Sequence, residues 1–388
     1  MTFLATGDQH LGKGLDLGRV PGERLAEQEA VWAAALALAR DLRCDAVLHA
    51  GDLFDGRRPG PDVMLAAERP LVEHQVEGGC TVYVIAGNHD VPSQDGPCGL
   101  DVLAEAGLIE LAREPKVWRI PSGMDTDVEV CALPWAPLSR LVAADEGETP
   151  REELATLAAD LLLETARGMW KPTLPIEPGQ ILLGHWAVSD TSLPNGLDVG
   201  SLGGVVLPMD DLEGLWSGQM IFGHIHKGAC YGDFTYVGSP MPLDFGEASD
   251  DHGCWIMEWD EALRLWALEF VPLPSRPFVT QDLDSESVID DTWIARAGLA
   301  GAYVKLRYSA TEDQARRIDQ AAVRASLEEA GAYRVFIEPT ISRAHRERGA
   351  AIDSEGTRID QLAAYLEASG TNSSVGAAMI ERAAGYLT

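Results

Sequence analysis

Five short apolar runs in this chain each break off at a glycine and hand over at once to aspartate, histidine or asparagine. They are TFLATG (2–7) before Asp8 and His10, CDAVLHAG (44–51) before Asp52, and TVYVIAG (81–87) before Asn88, His89 and Asp90. QILLG (180–184) precedes His185, and QMIFG (219–223) precedes His224 and His226. Short apolar runs bounded by turn residues read as buried strands. A closing glycine lets the backbone turn with no side chain in the way. The polar groups therefore gather at the carboxyl ends of strands, where open α/β folds place their ligands.

Asp8, His10, Asp52, Asn88, His185, His224 and His226 offer hard oxygens and imidazoles with no thiolate among them. That donor mixture suits Mn²⁺, Fe²⁺ or Zn²⁺ better than a Ca²⁺ cage. Six of the nine histidines fall within these stretches: His10, His49, His89, His185, His224 and His226. His49 sits inside an apolar run and reads as a core or supporting histidine, with direct catalysis the alternative. His74, His252 and His345 receive no functional role.

The intervening segments read as follows. Leu25, Val31, Trp32, Ala35, Leu36 and Ala39 recur at helical spacing and predict a crossover helix over 24–42, with a second over 61–77. Strand, helix, strand in succession makes a parallel sheet. A short helix is expected over 100–106, strands over 116–120 and 128–135 split by a polar turn at 121–127, and a helix over 152–167. A Gly-bearing loop over 189–204 is longer than a typical connection. Further strands lie in FTYVGSP, CWIMEW and RLWALEFVPL, where Trp255, Trp259 and Trp266 read as packing residues. Pro272, Pro274 and Pro277 mark a boundary near Val271. Beyond it come a strand at 304–310, a helix over 312–330, a strand at 333–339, the basic patch SRAHRERG, and two amphipathic helices, one over 357–369 and one that follows the capping-type residues Ser373 and Ser374. Ile359, Leu362, Ala363 and Leu366 form one apolar stripe; Val375, Met379, Ala383, Tyr386 and Leu387 form the other.

The chain carries 61 acidic against 30 basic residues, a net charge of −31. Such a balance excludes a protein that holds a DNA duplex by its overall field. Local cations would have to serve instead, and Lys13, Arg57, Arg58 and Lys227 lie beside the strand-end motifs, with ordinary solvated surface charge the alternative for all four. Six cysteines without a CxxC pair predict buried, reduced thiols. The absence of any run of 18 apolar residues, and a start that passes straight into a motif, predict neither a membrane span nor a signal peptide, hence a cytoplasmic protein. No GxxxxGK[ST] loop is present, so ATP hydrolysis would have to come from another polypeptide.

The ordered set DQH, GDLFD, GNHD, GHW and GHIH resembles the five signature motifs of the calcineurin-like metallophosphoesterases. VLHAGDLFD, the single histidine of GHW and the material beyond residue 270 are most similar to the nuclease subunit of SbcCD-type double-strand break repair complexes. The resemblance implies an α/β fold, a layered αββα sandwich over 1–272, with a small α/β capping domain over 273–342 and a helical tail over 343–388. It implies two divalent metals, Mn²⁺ foremost, with Mg²⁺, Fe²⁺ and Zn²⁺ as alternatives. Asp52 would bridge them, Asp8, His10 and His226 would complete one site, and Asn88, His185 and His224 the other. His89 would protonate the departing 3′ oxygen. A carboxylate should orient it, Asp55 or its rival Asp90; some related nucleases carry histidine at the position of Asp55, which leaves that role open. The implied activity is DNA cleavage, as exonuclease on duplex ends and endonuclease on single strands, in break processing, repair and recombination. The implied partners are DNA ends and an SbcC-type coiled-coil ABC ATPase held by the tail; a homodimer stays open, and no membrane is involved. The rivals are a metal-dependent phosphatase or phosphodiesterase on small molecules or proteins, and a non-catalytic scaffold of the same fold.

Overall fold

Along the strand Thr2–Thr6, Phe3 and Ala5 belong to one apolar cluster and Leu4 to another, and the same alternation recurs in strand after strand. A period of two sends successive side chains to opposite faces of a sheet, so each of these strands is buried on both sides. The computed structural model describes all residues except 92–95, 122–126, 143–148, 171–179, 190, 192–203, 291–292, 295–297, 343–356 and 388, and excludes the side chains of 368, 386 and 387. The basic patch SRAHRERG, apart from Ser342, His345 and most of the 189–204 loop lie outside the described residues.

Two six-stranded sheets carry the alternation. In spatial order the first runs Leu265–Pro272, Gly253–Asp260, Thr2–Thr6, Ala46–His49, Thr81–Ile85 and Glu110–Ala112. Its last four strands are parallel, joined by the helices Glu23–Asp41, Pro61–Val76 and Gly99–Glu105; the sequence pattern predicts the first three of these strands and the two crossovers between them. The second runs Ala229–Tyr231, Phe234–Tyr236, Met220–Gly223, Ile181–His185, Val128–Leu133 and Lys116–Ile120.

Three apolar clusters correspond to three interfaces. Leu4, Val47, Val82 and Val84 pack with Trp32, Leu36 and Leu71 of the crossover helices. Phe3, Ala5, Leu48 and Ile85 pack with Val130, Leu183 and Ile221 of the second sheet. Leu133, Leu182 and Phe222 pack with Leu162 and Leu163 of the helix Arg151–Met169 and with Leu212. The order is therefore helix, sheet, sheet, helix, the αββα arrangement. Full burial of each large apolar side chain contributes about 1.5–3 kcal/mol. Trp266 is buried and stacks on Phe3, while Trp255 and Trp259 pack against the middle cluster.

The structure departs from the sequence reading in several places. The helix expected over 312–330 is two helices, Glu312–Ala315 and Gln320–Glu329. Asp319 accepts from the backbone N–H groups of Ala321 and Ala322, which begins a new helix where one continuous helix was expected. Phe278–Asp284, whose prolines precede it and whose residues are mostly polar, is a strand beside Tyr303–Thr311, with Arg334–Ser342 on the far side. Glu110–Ala112 and the helix Met209–Leu215 were likewise not anticipated. All six cysteines are free, but Cys230 is exposed where buried thiols were expected. By compactness the chain forms one unit of 1–280, 298–305 and 327–336, and another of 281–297, 306–326 and 337–388. No helix among the described residues is long and apolar enough to cross a membrane.

Candidate metal centre

Six non-glycine residues among those described have positive φ, and four of them are Asp8, His10, Asp52 and His224, at 51°, 45°, 54° and 88°. Left-handed backbone costs a residue with a Cβ on the order of 1–2 kcal/mol, and such strain collects where surrounding bonds over-determine it. Those bonds are present. Asp8 N donates to Gly51 O (2.9 Å) and His10 N to Asp52 O (3.0 Å), which laces together the loops that leave the first two strands. Asp90 accepts from the N–H groups of Asp52, Gly87 and Phe54 at 2.8, 3.0 and 3.1 Å. Gly87 permits the closest approach, since a Cβ there would stand 2.1 Å from Asp52 Oδ1.

The carboxylate of Asp52 lies at the centre of the cluster. Its Oδ2 is 3.5 Å from His10 Nε2 and 3.3 Å from His185 Nε2, while its Oδ1 accepts from His89 N at 2.7 Å. On one side Asp8, His10 and His226 bring their donor atoms within 4.8 Å of one another, with His10 Nε2 and His226 Nε2 3.1 Å apart. On the other, Asn88 Oδ1 lies 3.0 Å from His185 Nε2 and 2.8 Å from His224 Nδ1. The structure thus brings together all seven ligand candidates.

This donor set fits a pair of cations. His185 Nδ1 donates to Ala50 O at 2.6 Å, so in the neutral ring the lone pair is on Nε2 and faces two oxygens that also only accept, Asn88 Oδ1 and Asp52 Oδ2. His226 repeats the arrangement, with Nδ1 2.6 Å from Glu247 Oε1 and Nε2 turned to His10. Acceptor facing acceptor in a buried site calls for a positive charge between them. The protonation tendencies follow from burial and from the charges packed together here. Burial pushes the Asp8 carboxyl up, against the pull of His185 and His226. Burial opposes ionisation of Asp52 too, but the His185 imidazole beside it holds its carboxyl well below the usual range. His185 is pushed up to about 9: burial works against its charge, and Asp52 prevails. Burial and the neighbouring His185 bring His224 down to about 3, the neutral state a metal ligand needs.

His89 is half-exposed, and its Nδ1 lies 2.9 Å from the backbone oxygen of Asp55 and 3.7 Å from the Asp55 carboxylate. The Asp55 carboxylate is nearer to His10 Nδ1, at 3.3 Å. Asp90 does not reach His89; its oxygens are taken by backbone N–H groups, and burial, then the charge of Asp52, lifts its carboxyl to about 7. His49 is wholly buried beneath the site, bonded to Gln9 and held down to about 3 by burial and His185. Arg57 and Arg58 are exposed, Lys13 is half-buried, and Lys227 lies 3.7 Å from Asp250. None of the four enters the ligand cluster. Glu247, by contrast, was missed by sequence reasoning. It lies at the end of the turn Phe245–Glu247, which Asp244 caps, and no spacing rule ties that turn to His226.

The family model for calcineurin-like phosphoesterases matches residues 1–228. A component of the nuclease SbcCD from Rhodobacter capsulatus is 28% identical over 280 residues, 66% of this chain and 66% of that protein. DNA double-strand break repair protein Mre11 of Methanopyrus kandleri is 25% identical over 364 residues, 90% of this chain and 72% of that protein. The chain thus spans about two thirds of the length of the relatives it matches. Among solved structures, a dimetal phosphatase from Danio rerio is similar with a TM-score of 0.39 and 12% identity, covering 67% of this chain and 93% of that one.

Proposed function

This chain belongs to the calcineurin-like phosphoesterase family, which makes it a metal-dependent phosphoester hydrolase, and on that premise we propose that it is a two-metal DNA nuclease of double-strand break processing. The observation that carries the reading is the convergence of Asp8, His10, Asp52, Asn88, His185, His224 and His226 about the Asp52 carboxylate, with His89 beside them. Relatives named as a nuclease component and a break repair protein support DNA as the substrate.

In this reading Asp52 spans two sites, one completed by Asp8, His10 and His226 and the other by Asn88, His185 and His224. When bound, two divalent cations, Mn²⁺ first among them, supply Lewis-acid neutralisation of the phosphate and a more acidic water. Asp8 and Asp52 bring two negative charges and the imidazoles none, so the site stays positive enough to receive a phosphodiester. His89 is the general acid. With Nδ1 donating to the Asp55 oxygen, its Nε2 carries the proton that passes to the departing 3′ oxygen as the P–O bond breaks. The backbone N–H of His89, bonded to Asp52, ties the proton donor to the carboxylate between the sites.

The reading extends to exonuclease action on duplex ends and endonuclease action on single strands. Residues 1–272 form the nuclease domain, 273–342 a cap and 343–388 a tail for an SbcC-type ATPase. Lys13, Arg57, Arg58 and Lys227 supply local contacts to DNA. The test is Mn²⁺-dependent release of nucleotides from linear duplex, set against turnover of nitrophenyl phosphate monoester. Robust monoester turnover with inert DNA assigns the chain to the phosphatases instead.

A further inference from the structure

Beside the candidate metal centre lies a cavity of about 790 Å³ that the chemistry above does not use. Asn88 and His224 form part of its wall, and so do Trp135, Leu138, Ala155 and Val206. We propose that this cavity receives one nucleobase of the strand being cut, that of the nucleoside which keeps the scissile phosphate after cleavage. The inference rests on the nuclease reading and deepens it.

The position of the cavity carries the first part of the argument. Asn88 Oδ1 and His224 Nδ1 are 2.8 Å apart at the metal centre, and both residues face the cavity, so a phosphate held at the centre has its attached group directed there. His89, the proton donor, and His10 and Asp55, which lie against it, are not part of the wall. The leaving oxygen departs on the His89 side, and the cavity belongs to the other substituent on phosphorus.

The lining carries the second part. Trp135 lies in a stacked arrangement with Trp186, ring centroids 6.4 Å apart and planes 26° from parallel. Trp186, which also lines the cavity, is buried, and its Nε1 donates to Leu133 O at 3.1 Å, so the ring beside Trp135 is fixed. Trp135 N donates to Ala86 O at 2.9 Å, which ties it to the end of the strand that delivers Asn88. An indole held in place beside aliphatic side chains offers a base a π-face and apolar edges. Arg151 and Glu152 are the charged residues of the wall. The volume lies within the roughly 300–1,000 Å³ typical of small-molecule pockets and exceeds what the phosphate alone requires. A local platform of this kind also suits a chain with a net charge of −31, whose overall field does not hold DNA.

The experiment uses the full-length, Mn²⁺-loaded protein and two single-stranded oligonucleotides, one intact and one with a single tetrahydrofuran abasic residue. Cleavage at the phosphate that the abasic residue retains should be slower by roughly 5- to 100-fold than at the same phosphate of the intact strand, the range expected for one lost base stack. Ala155→Trp, which fills the cavity from a partly exposed helical position, should erase that difference while the Mn²⁺ titration isotherm stays as in the unaltered protein. Trp135→Ala should erase it too. Equal rates on both strands, or a difference that survives Ala155→Trp, would overturn the proposal. A protein that cuts neither strand but turns over a nitrophenyl phosphodiester overturns the nuclease reading, and this inference with it.

Discussion

The metal centre and the two C-terminal helices differ in what holds them in place. At the centre the strand ends are over-determined: four candidate ligands keep left-handed backbone, Asp90 ties three N–H groups together, and both faces of each sheet are covered. The helices Arg358–Ala368 and Ser373–Leu387 pack on one another, with Leu366 Cβ 4.0 Å from where a Cβ on Gly376 would stand. Yet Val375 and Met379 remain 51% and 48% exposed. Of the stripe expected on the last helix, these two residues are half-exposed, and Gly376 is the residue that faces Leu366. The strand ends hold a fixed arrangement of charge, for which position is everything; the helices leave part of their apolar stripe exposed, which the proposed tail role requires.

The largest effect should come from the centre of that fixed arrangement. Asp52→Asn removes the only charge shared by the two proposed sites, so elemental analysis should find fewer than two metals and phosphodiesterase activity should vanish. Two retained metals with normal activity would defeat the site assignment. His89→Gln should be milder and different in kind: both metals stay, and the rate falls by roughly 10²- to 10⁴-fold, the usual worth of a general acid. Metal loss in that variant would make His89 a ligand. Glu247→Gln weakens the acceptor at His226 Nδ1 without removing any ligand. Supporting partners of metal-bound histidines are typically worth about 10- to 100-fold in affinity, so calorimetric Mn²⁺ binding should weaken by that order at one site of two. An unchanged isotherm would show that Glu247 packs against His226 without tuning it.

These three residues also mark how far the sequence can be read. Asp52 was legible because the same pattern, an apolar run closed by glycine and followed by Asp, Asn or His, recurs at five strand ends; its central place came from the resemblance. The apolar runs made buried strands and a parallel sheet legible, since a strand covered on both faces has to be apolar throughout, while the αββα layering came from the resemblance of the ordered motifs. His89 was legible as a residue but not in its partner: the sequence offered two carboxylates to orient it, and the acceptor at 2.9 Å is the backbone oxygen of Asp55. Main-chain oxygens have no side-chain signature, and neither does the Ala50 oxygen that fixes His185. Glu247 stands 21 residues past His226 on a short turn, and only the folded chain brings the two together. The split helix at 316–319 was hidden for a related reason, because Asp319 is tolerated inside a helix even though it is better suited to starting one.

The smallest effect on catalysis should come from the helices. Val375→Glu with Met379→Glu places charge on two half-exposed positions of Ser373–Leu387, away from the Leu366–Gly376 contact. Substitutions at such surface positions usually shift stability by no more than about 0.5 kcal/mol each. Melting temperature, metal content and Mn²⁺-dependent cleavage of simple ends should therefore stay close to those of the unaltered protein. An SbcC-type ATPase that uses the exposed stripe would meet two buried charges without partners, a cost of several kcal/mol and hence at least a hundred-fold in affinity. Co-purification and ATP-stimulated cleavage should fail together. Truncation after Arg348 should give the same separation with both helices gone. Loss of metal-dependent activity in the truncated protein would make the tail part of the catalytic body, and retention of the ATPase by the double-glutamate variant would move the partner's footprint off this stripe.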